Sequence, residues 1–206
     1  ELHIFHRAHR AMDNLLNFLD KNVATFDEWA DTDTYKKRQA LILRNTRDLD
    51  VVVPIDKSSW LFHKTIPFNV LIQKNHVKPV LTQAGLDALL SNLPNDLTDN
   101  QKEIIDELKN FIAYSIMAMV FRLLPVKFLP QGIVQQYTSD RGASAASQTS
   151  ESAARIDVAE GYETLAAREI KTVQDKLRKQ RFIASGKTYP EVKEPIDYNT
   201  QKHFRA

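Results

Sequence analysis

Phe111-Ile112-Ala113-Tyr114-Ser115-Ile116-Met117-Ala118-Met119-Val120-Phe121 is the stretch whose reading decides the fold. It carries no charge, and as a helix it is apolar on nearly every face, so it must be covered on all sides. It predicts a buried central helix from Ile104 to Leu124, with Met117 and Met119 in the core. Thr98 or Asp99 supplies the cap, Glu103 an acid in the first turn, and Pro125 and Pro130 bracket the exit. The run ends at Arg122, far short of the roughly 20 residues that span a bilayer, so its surroundings are protein and no membrane is expected.

Upstream, Ile4, Ala8, Met12, Leu15, Leu16 and Leu19 recur at helical spacing and predict an amphipathic helix over 3–21. Phe26 and Trp29 sit among N-cap residues, as in a short turn plugging a neighbouring core. Residues 34–47 read as a second helix with a thin apolar stripe. Val51-Val52-Val53-Pro54-Ile55 is β-branched and interrupted by proline, hence extended. Asp56 to Ser59 then caps a helix running to about His76. Pro67 should kink that helix and Val77-Lys78-Pro79-Val80-Leu81 should stop it. Thr82 caps a short helix over 83–93, and the chain turns at 94–97.

Downstream of the central helix, Gly132 to Thr138 alternates as a strand or hairpin arm. Ser139–Ser150 is rich in Ser and Ala and is expected to be a flexible loop. Residues 151–181 form one long helix whose seam Ala159, Tyr162, Ala166, Ile170, Val173 and Leu177 suits packing along other helices. The tail over 182–206 holds Pro190 and Pro195. The expected fold is therefore mainly α. A helical bundle (1–138) surrounds the buried helix and carries a short strand or hairpin; the loop 139–150, the long helix 151–181 and the extended tail 182–206 follow.

The 206 residues are 43% apolar and 26% charged, an ordinary globular composition, and 10 Phe, 6 Tyr and 2 Trp argue against wholesale disorder. With no cysteine there is no disulfide, thiol nucleophile or Cys-based zinc site. The five glycines are scattered, which excludes the dinucleotide fingerprint and the phosphate-cradling loop. A net charge of +2, with −1 over 1–50, +1 over 51–130 and +2 over 131–206, gives no strongly basic face for a nucleic-acid backbone. The chain opens Glu-Leu-His, so it is expected to be an interior or C-terminal part of a longer one.

His3, His6 and His9, with Asp13 four residues beyond, could share a helix face and hold a metal, but no second cluster supplies the remaining ligands; capping or exposed histidines are the preferred reading. Asp27, Glu28, Asp31 and Asp33 lack the mid-loop glycine and terminal glutamate of a calcium hand and read as caps. Asp106 and Glu107 near the start of the buried helix suit its dipole better than a catalytic pair. No catalytic residue, cofactor or metal is assigned. In the long helix, residues 168–181 carry six basic and two acidic side chains, as the macrodipole favours. Lys176, Arg178 and Arg181 there, with Tyr189, Tyr198 and Phe204 in the tail, are the candidate partner-binding residues.

Arg10-Ala11-Met12-Asp13-Asn14-Leu15-Leu16-Asn17-Phe18-Leu19, Phe26-Asp27-Glu28-Trp29, Trp60-Leu61-Phe62, His76-Val77-Lys78-Pro79-Val80-Leu81 and Leu124-Pro125-Val126-Lys127-Phe128-Leu129-Pro130 with Gly132-Ile133-Val134 together resemble a structural-protein family of Bacteroidetes phages and prophages, similar in outline to phage head-to-tail connector (adaptor) proteins. The resemblance implies a non-enzymatic virion subunit, assembled in the bacterial host cytoplasm. It would form a ring of identical copies at the portal vertex, touching portal and tail or neighbouring ring proteins, with DNA at most passing through the channel. The competing readings are a nucleic-acid-binding helical module, through the basic helix end, and a small hydrolase using the acids and histidines above.

Overall fold

A computed structural model describes residues 2–93, 97–124, 126–129, 132–135 and 145–185. The chain is mainly helical. Helices α1 (Leu2–Lys21), α2 (Asp27–Asp31), α3 (Asp33–Gln39), α4 (Thr46–Val52) and α5 (Ser59–Ile72) lead through a π-helical turn (Gln73–Val77) into α6 (Lys78–Leu81). Helices α7 (Gln83–Asn92) and α8 (Asp99–Leu123) follow. Strands β1 (Val126–Leu129) and β2 (Gly132–Gln135) then pair antiparallel, Val126 opposite Gln135, before α9 (Ala145–Ala184). Two compact units divide the chain, 1–174 and 175–206, the boundary falling within α9.

Helix α8 is the centre of the first unit. Thr98 and Gln101 close a capping box at its start, the Thr98 N–H donating to Gln101 Oε1 at 2.9 Å. No residue from Leu108 to Phe121 is exposed, and Leu108, Ile112, Ile116, Met117 and Val120 lie among the most deeply buried side chains. Met119 is only half-buried. Helices α4 and α5 pack on α8, and Lys109 pairs with Asp48 of α4 at 3.0 Å.

The expected helix over 34–47 is broken. Helix α3 ends at Gln39 and a non-helical segment, 40–45, precedes α4. The reason is burial. Leu41, Ile42 and Leu43 are all inside the core, which a helix turning 100° per residue cannot arrange on one face. Their backbone must find partners without a ladder. Two buried amides of the α5 region provide them: the Ile42 N–H donates to Gln73 Oε1 (3.0 Å), Gln73 Nε2 to the Ala40 carbonyl (2.7 Å) and Asn69 Nδ2 to the Leu43 carbonyl (3.0 Å).

Two further expectations are corrected nearby. Val51 and Val52 belong to α4, not to an extended segment. Only from Val53 is the backbone extended, and the turn that follows is closed by Asp50 Oδ1, which accepts from the N–H groups of Ile55 (2.9 Å) and Lys57 (3.1 Å). The 77–81 segment does not stop the preceding helix. The chain stays helical to Leu81 because the π-turn shifts the register, the Lys78 N–H donating to the Gln73 carbonyl, and Pro79 falls in the first turn of α6, where its missing donor costs little. The stop is Thr82, at φ 68°, whose hydroxyl accepts from the Gly85 N–H of α7. Helix α5 contains Pro67 and continues through it.

At the C-terminal side, α9 starts at Ala145. Residues 145–150 of the expected loop are therefore helical, as the alanines at 145 and 146 favour; 139–144 lie outside the described residues. The helix also runs past Arg181 to Ala184, into what was expected to be tail. Ala159, Ala166 and Val173 are buried and Tyr162 and Ile170 half-buried, which is the expected seam. Arg155 donates to the carbonyls of Phe121 and Leu124, satisfying the end of α8, and Tyr162 stacks on Phe121 at 5.9 Å.

Candidate functional surface

Helix α1 presents a run of exposed apolar residues at helical spacing. Its polar residues Arg10, Asp13, Asn17 and Asp20 recur at 3, 4, 3 and mark the side fixed to the rest of the unit. Asp13 is 5% exposed and accepts from Asn17 Nδ2 at 3.2 Å, and Arg10 reaches Asp56 at 3.4 Å. Asp20 is the strongest anchor. Its carboxylate accepts from Trp29 Nε1 (3.0 Å) and from the guanidinium of Arg38, which is 1% exposed. Arg38 Nε also donates to the Arg44 carbonyl (3.0 Å), and its guanidinium lies 5.8 Å from the centre of the Trp29 ring. A buried arginine is tolerable only when paired and hydrogen-bonded, and here both conditions hold.

That anchoring leaves the other side of α1 outward. Ile4, Ala8, Ala11, Leu15 and Phe18 recur at 4, 3, 4, 3, the spacing of a helix–helix seam, and all five are exposed; Ile4 is 70% exposed, Leu15 and Phe18 53% each. Met12 is exposed beside them, and Phe26 extends the patch by a ring contact with Phe18 at 5.8 Å. The expected amphipathic stripe is present, but most of it faces solvent rather than the core. Leu16 and Leu19 alone of the predicted set are half-buried. Every exposed charge described on α1 is basic: Arg7, Arg10 and Lys21.

Several of the other ionisable groups serve the fold. Arg44 donates to the carbonyls of Leu90 (2.8 Å), Leu93 (3.2 Å) and Leu41 (3.1 Å), closing the end of α7; burial lowers its pKa while Asp48 opposes that shift. His63 is half-buried, and its pKa is lowered by desolvation and by the charge of Arg38. Burial raises the Tyr162 phenol, with Tyr114 beside it. Asp31 pairs with Lys36 at 3.1 Å and Asp27 accepts from the Glu28 N–H, but none of these acids caps a helix as expected: Phe26 precedes α2 and makes no side-chain cap, and Thr32 caps α3. Asp106 is exposed and Glu107 half-buried on α8. Among the described residues no group of three or more His, Asp or Glu could hold a metal ion. The side chains of His3, His6 and His9 lie outside the described residues, as do Tyr189, Tyr198 and Phe204. Arg178 and Arg181 are exposed on the second unit's part of α9, and Lys176 is half-buried there.

Sequence reasoning missed Arg38, Asn69 and Gln73. The two amides sit four apart in an apolar helix, a spacing that places both on one face, and that was the available signal.

Comparison with known proteins places the chain. The model of a family of unknown function, DUF6712, matches residues 3–39 and 77–201. The chain belongs to that family. The DUF6712 match takes in α1, with its outward seam, and α7 to α9. The amide-held segment 40–45 and α5 fall between the two matched stretches. No curated protein and no solved structure matches the chain. No helix of the described residues is long and apolar enough to cross a membrane.

Proposed function

We infer that this DUF6712 chain is a structural subunit that acts by contact with other protein chains, and in its narrower form a connector or adaptor subunit that assembles as a ring at the portal vertex of a phage. One observation carries the general reading: five apolar residues at seam spacing stand exposed on α1 while its acids are turned inward. Keeping such a stripe in water costs roughly 25 cal/mol for each Å² that a partner could cover. The narrower reading rests on the resemblance of the sequence to phage connectors.

The test is mass measurement by size-exclusion light scattering and negative-stain imaging, alone and with a portal protein from the same phage. Closed rings of fixed copy number are expected. Removing 187–206 should leave the thermal transition in place and abolish incorporation into particles. A strict monomer that binds no portal, or one that turns over a small substrate in a manner dependent on His6, His9 or Asp13, overturns the reading.

A further inference from the structure

We propose that the outer side of α5 and α6, marked by Lys64, Lys74 and Lys78, binds the phosphate backbone of a nucleic-acid duplex without regard to its sequence. The nearly neutral total charge hides this side. Residues 57–86 hold four lysines, two histidines and neither an acid nor an arginine, while the acids that balance them stand further on, from Asp87 to Glu107. Lys64, Pro67, Leu71, Lys74 and Lys78 recur at 3, 4, 3 and 4 and all are exposed, whereas Leu61, Thr65, Asn69, Ile72 and Val77 are buried on the opposite side. The π-turn keeps the chain helical from Ser59 to Leu81, so the three lysines lie along one rod, about 20 Å from first to last at 1.5 Å per residue. Among the described residues no acid pairs with any of the three; Lys64 lies over the Trp60 ring at 5.9 Å. The fold does not use these charges, since α5 is held by its buried side, through Asn69, Gln73 and its packing on α8.

Chemistry selects a duplex backbone over other anionic partners. Lysines are flexible point charges that suit phosphates, and without arginine the face lacks the fork that holds a carboxylate bidentately. About 20 Å of duplex axis carries about twelve phosphates, one per 1.7 Å, so each lysine meets one at any register. A single strand is held by stacking its bases on aromatic rings, and Trp60 is half-buried and already covered by Lys64. A lipid surface takes up protruding apolar side chains, but Val70 and Leu71 here are only 45% and 46% exposed. The basic end of α9 is the rival surface on this chain, yet Asp175 stands among Arg168, Lys171, Arg178 and Lys179 there. Lys64 and Lys74 also fall between the two stretches that the DUF6712 model matches, so this face is not something the family match carries.

Fluorescence anisotropy of a labelled duplex titrated with the full chain, over a series of salt concentrations, tests this. Three phosphate contacts predict a slope of log K against log salt of about −2.7, hence about fortyfold weaker binding at about 200 mM than at about 50 mM. Lys64→Gln, Lys74→Gln and Lys78→Gln should each make the slope about 0.9 shallower, and the triple variant should lose about tenfold or more in affinity at the lower salt. All three positions are exposed, so the thermal transition of the triple variant should stay near wild type. A duplex of scrambled sequence should bind as tightly, and polyglutamate at equal charge should displace it poorly. Lys171→Gln with Arg178→Gln, on α9, should leave binding unchanged. The proposal falls if the wild-type chain binds no duplex at the lower salt, or if the α9 pair removes binding and the α5 triple does not. It falls too if polyglutamate competes as well as the duplex, which gives the face to an acidic protein segment. Binding to phosphatidylserine vesicles and not to duplex, lost in the triple variant, gives it to a lipid surface. None of these readouts needs a ring, so their failure leaves the assembly reading standing.

Discussion

Helix α8 buries apolar residues on nearly every side, whereas α1 turns Ile4, Leu15 and Phe18 to solvent and holds Asp13 and Asp20 against its own unit. The difference lies in what surrounds each helix. Helix α8 has helices on several sides and makes its contacts through shape and apolar area. Helix α1 is held on one side only, where it packs on α5 with Leu16 and Leu19 half-buried and adds directional bonds: Asp20 to Trp29 and Arg38, Arg10 to Asp56. An apolar stripe therefore does not decide which way a helix faces when a buried cation such as Arg38 demands a carboxylate. An unpaired buried charge costs several kcal/mol, more than one exposed leucine.

The contrast is broken most severely at Ile116. Ile116→Asp places a carboxylate where the side chain is 1% exposed and should cost about 4 kcal/mol or more, of the order of the whole stability of a domain. The expected outcome is loss of cooperative thermal unfolding by circular dichroism. A retained sharp transition would mean that α8 is not the enclosed centre of the unit.

Next in size are the polar anchors. Asp20→Asn removes the charge facing Arg38 and should destabilise by about 3 kcal/mol in urea unfolding, the range for breaking a buried pair. Gln73→Met keeps volume but strands the Ile42 N–H and the Ala40 carbonyl. Two groups at about 1–3 kcal/mol each predict a loss of about 2–6 kcal/mol at unchanged urea dependence. A change under half a kcal/mol in either variant would show that the segment 40–45 does not need its amides, or α1 its acid.

A smaller effect follows from pH. The His63 pKa is lowered in the fold from its ordinary 6.5, by desolvation and then by Arg38, so between the two values the unfolded chain holds the extra proton. Stability from this group is complete above 6.5 and declines as pH falls through that value, levelling off below the folded one. His63→Gln should flatten this part of the profile. An identical slope in the variant would exclude His63 as its source. Smallest of all, Leu15→Glu should change stability by about 0.5 kcal/mol or less, as surface substitutions do, and so sharpens the comparison with Ile116→Asp.

Much of this was legible in the sequence. The α8 run announced its own burial because eleven successive residues, nearly all apolar, leave a helix no polar face to turn to water. The Thr98 cap, the Thr82 start of α7 and the α9 seam were readable for the same reason: each depends on residues within a turn or two. The candidate surface was half legible. The α1 stripe was visible as a period, but its exposure was not, because period fixes which residues share a side and says nothing about what stands opposite.

Local sequence was enough for the long helices α1, α5, α8 and the body of α9, for the Thr82 and Thr98 caps and for the stripes, since these follow from spacing and from hydrogen bonds reaching at most four residues. Only the tertiary structure decided that Leu41-Ile42-Leu43 enters the core without a helix, that the chain passes helically through Pro79, and that α1 faces outward. Those outcomes rest on bonds between residues far apart in sequence, Asn69 and Gln73 to the 40–43 backbone and Arg38 to Asp20. A buried polar group must find its partner wherever the chain brings one, and local periodicity carries no record of that.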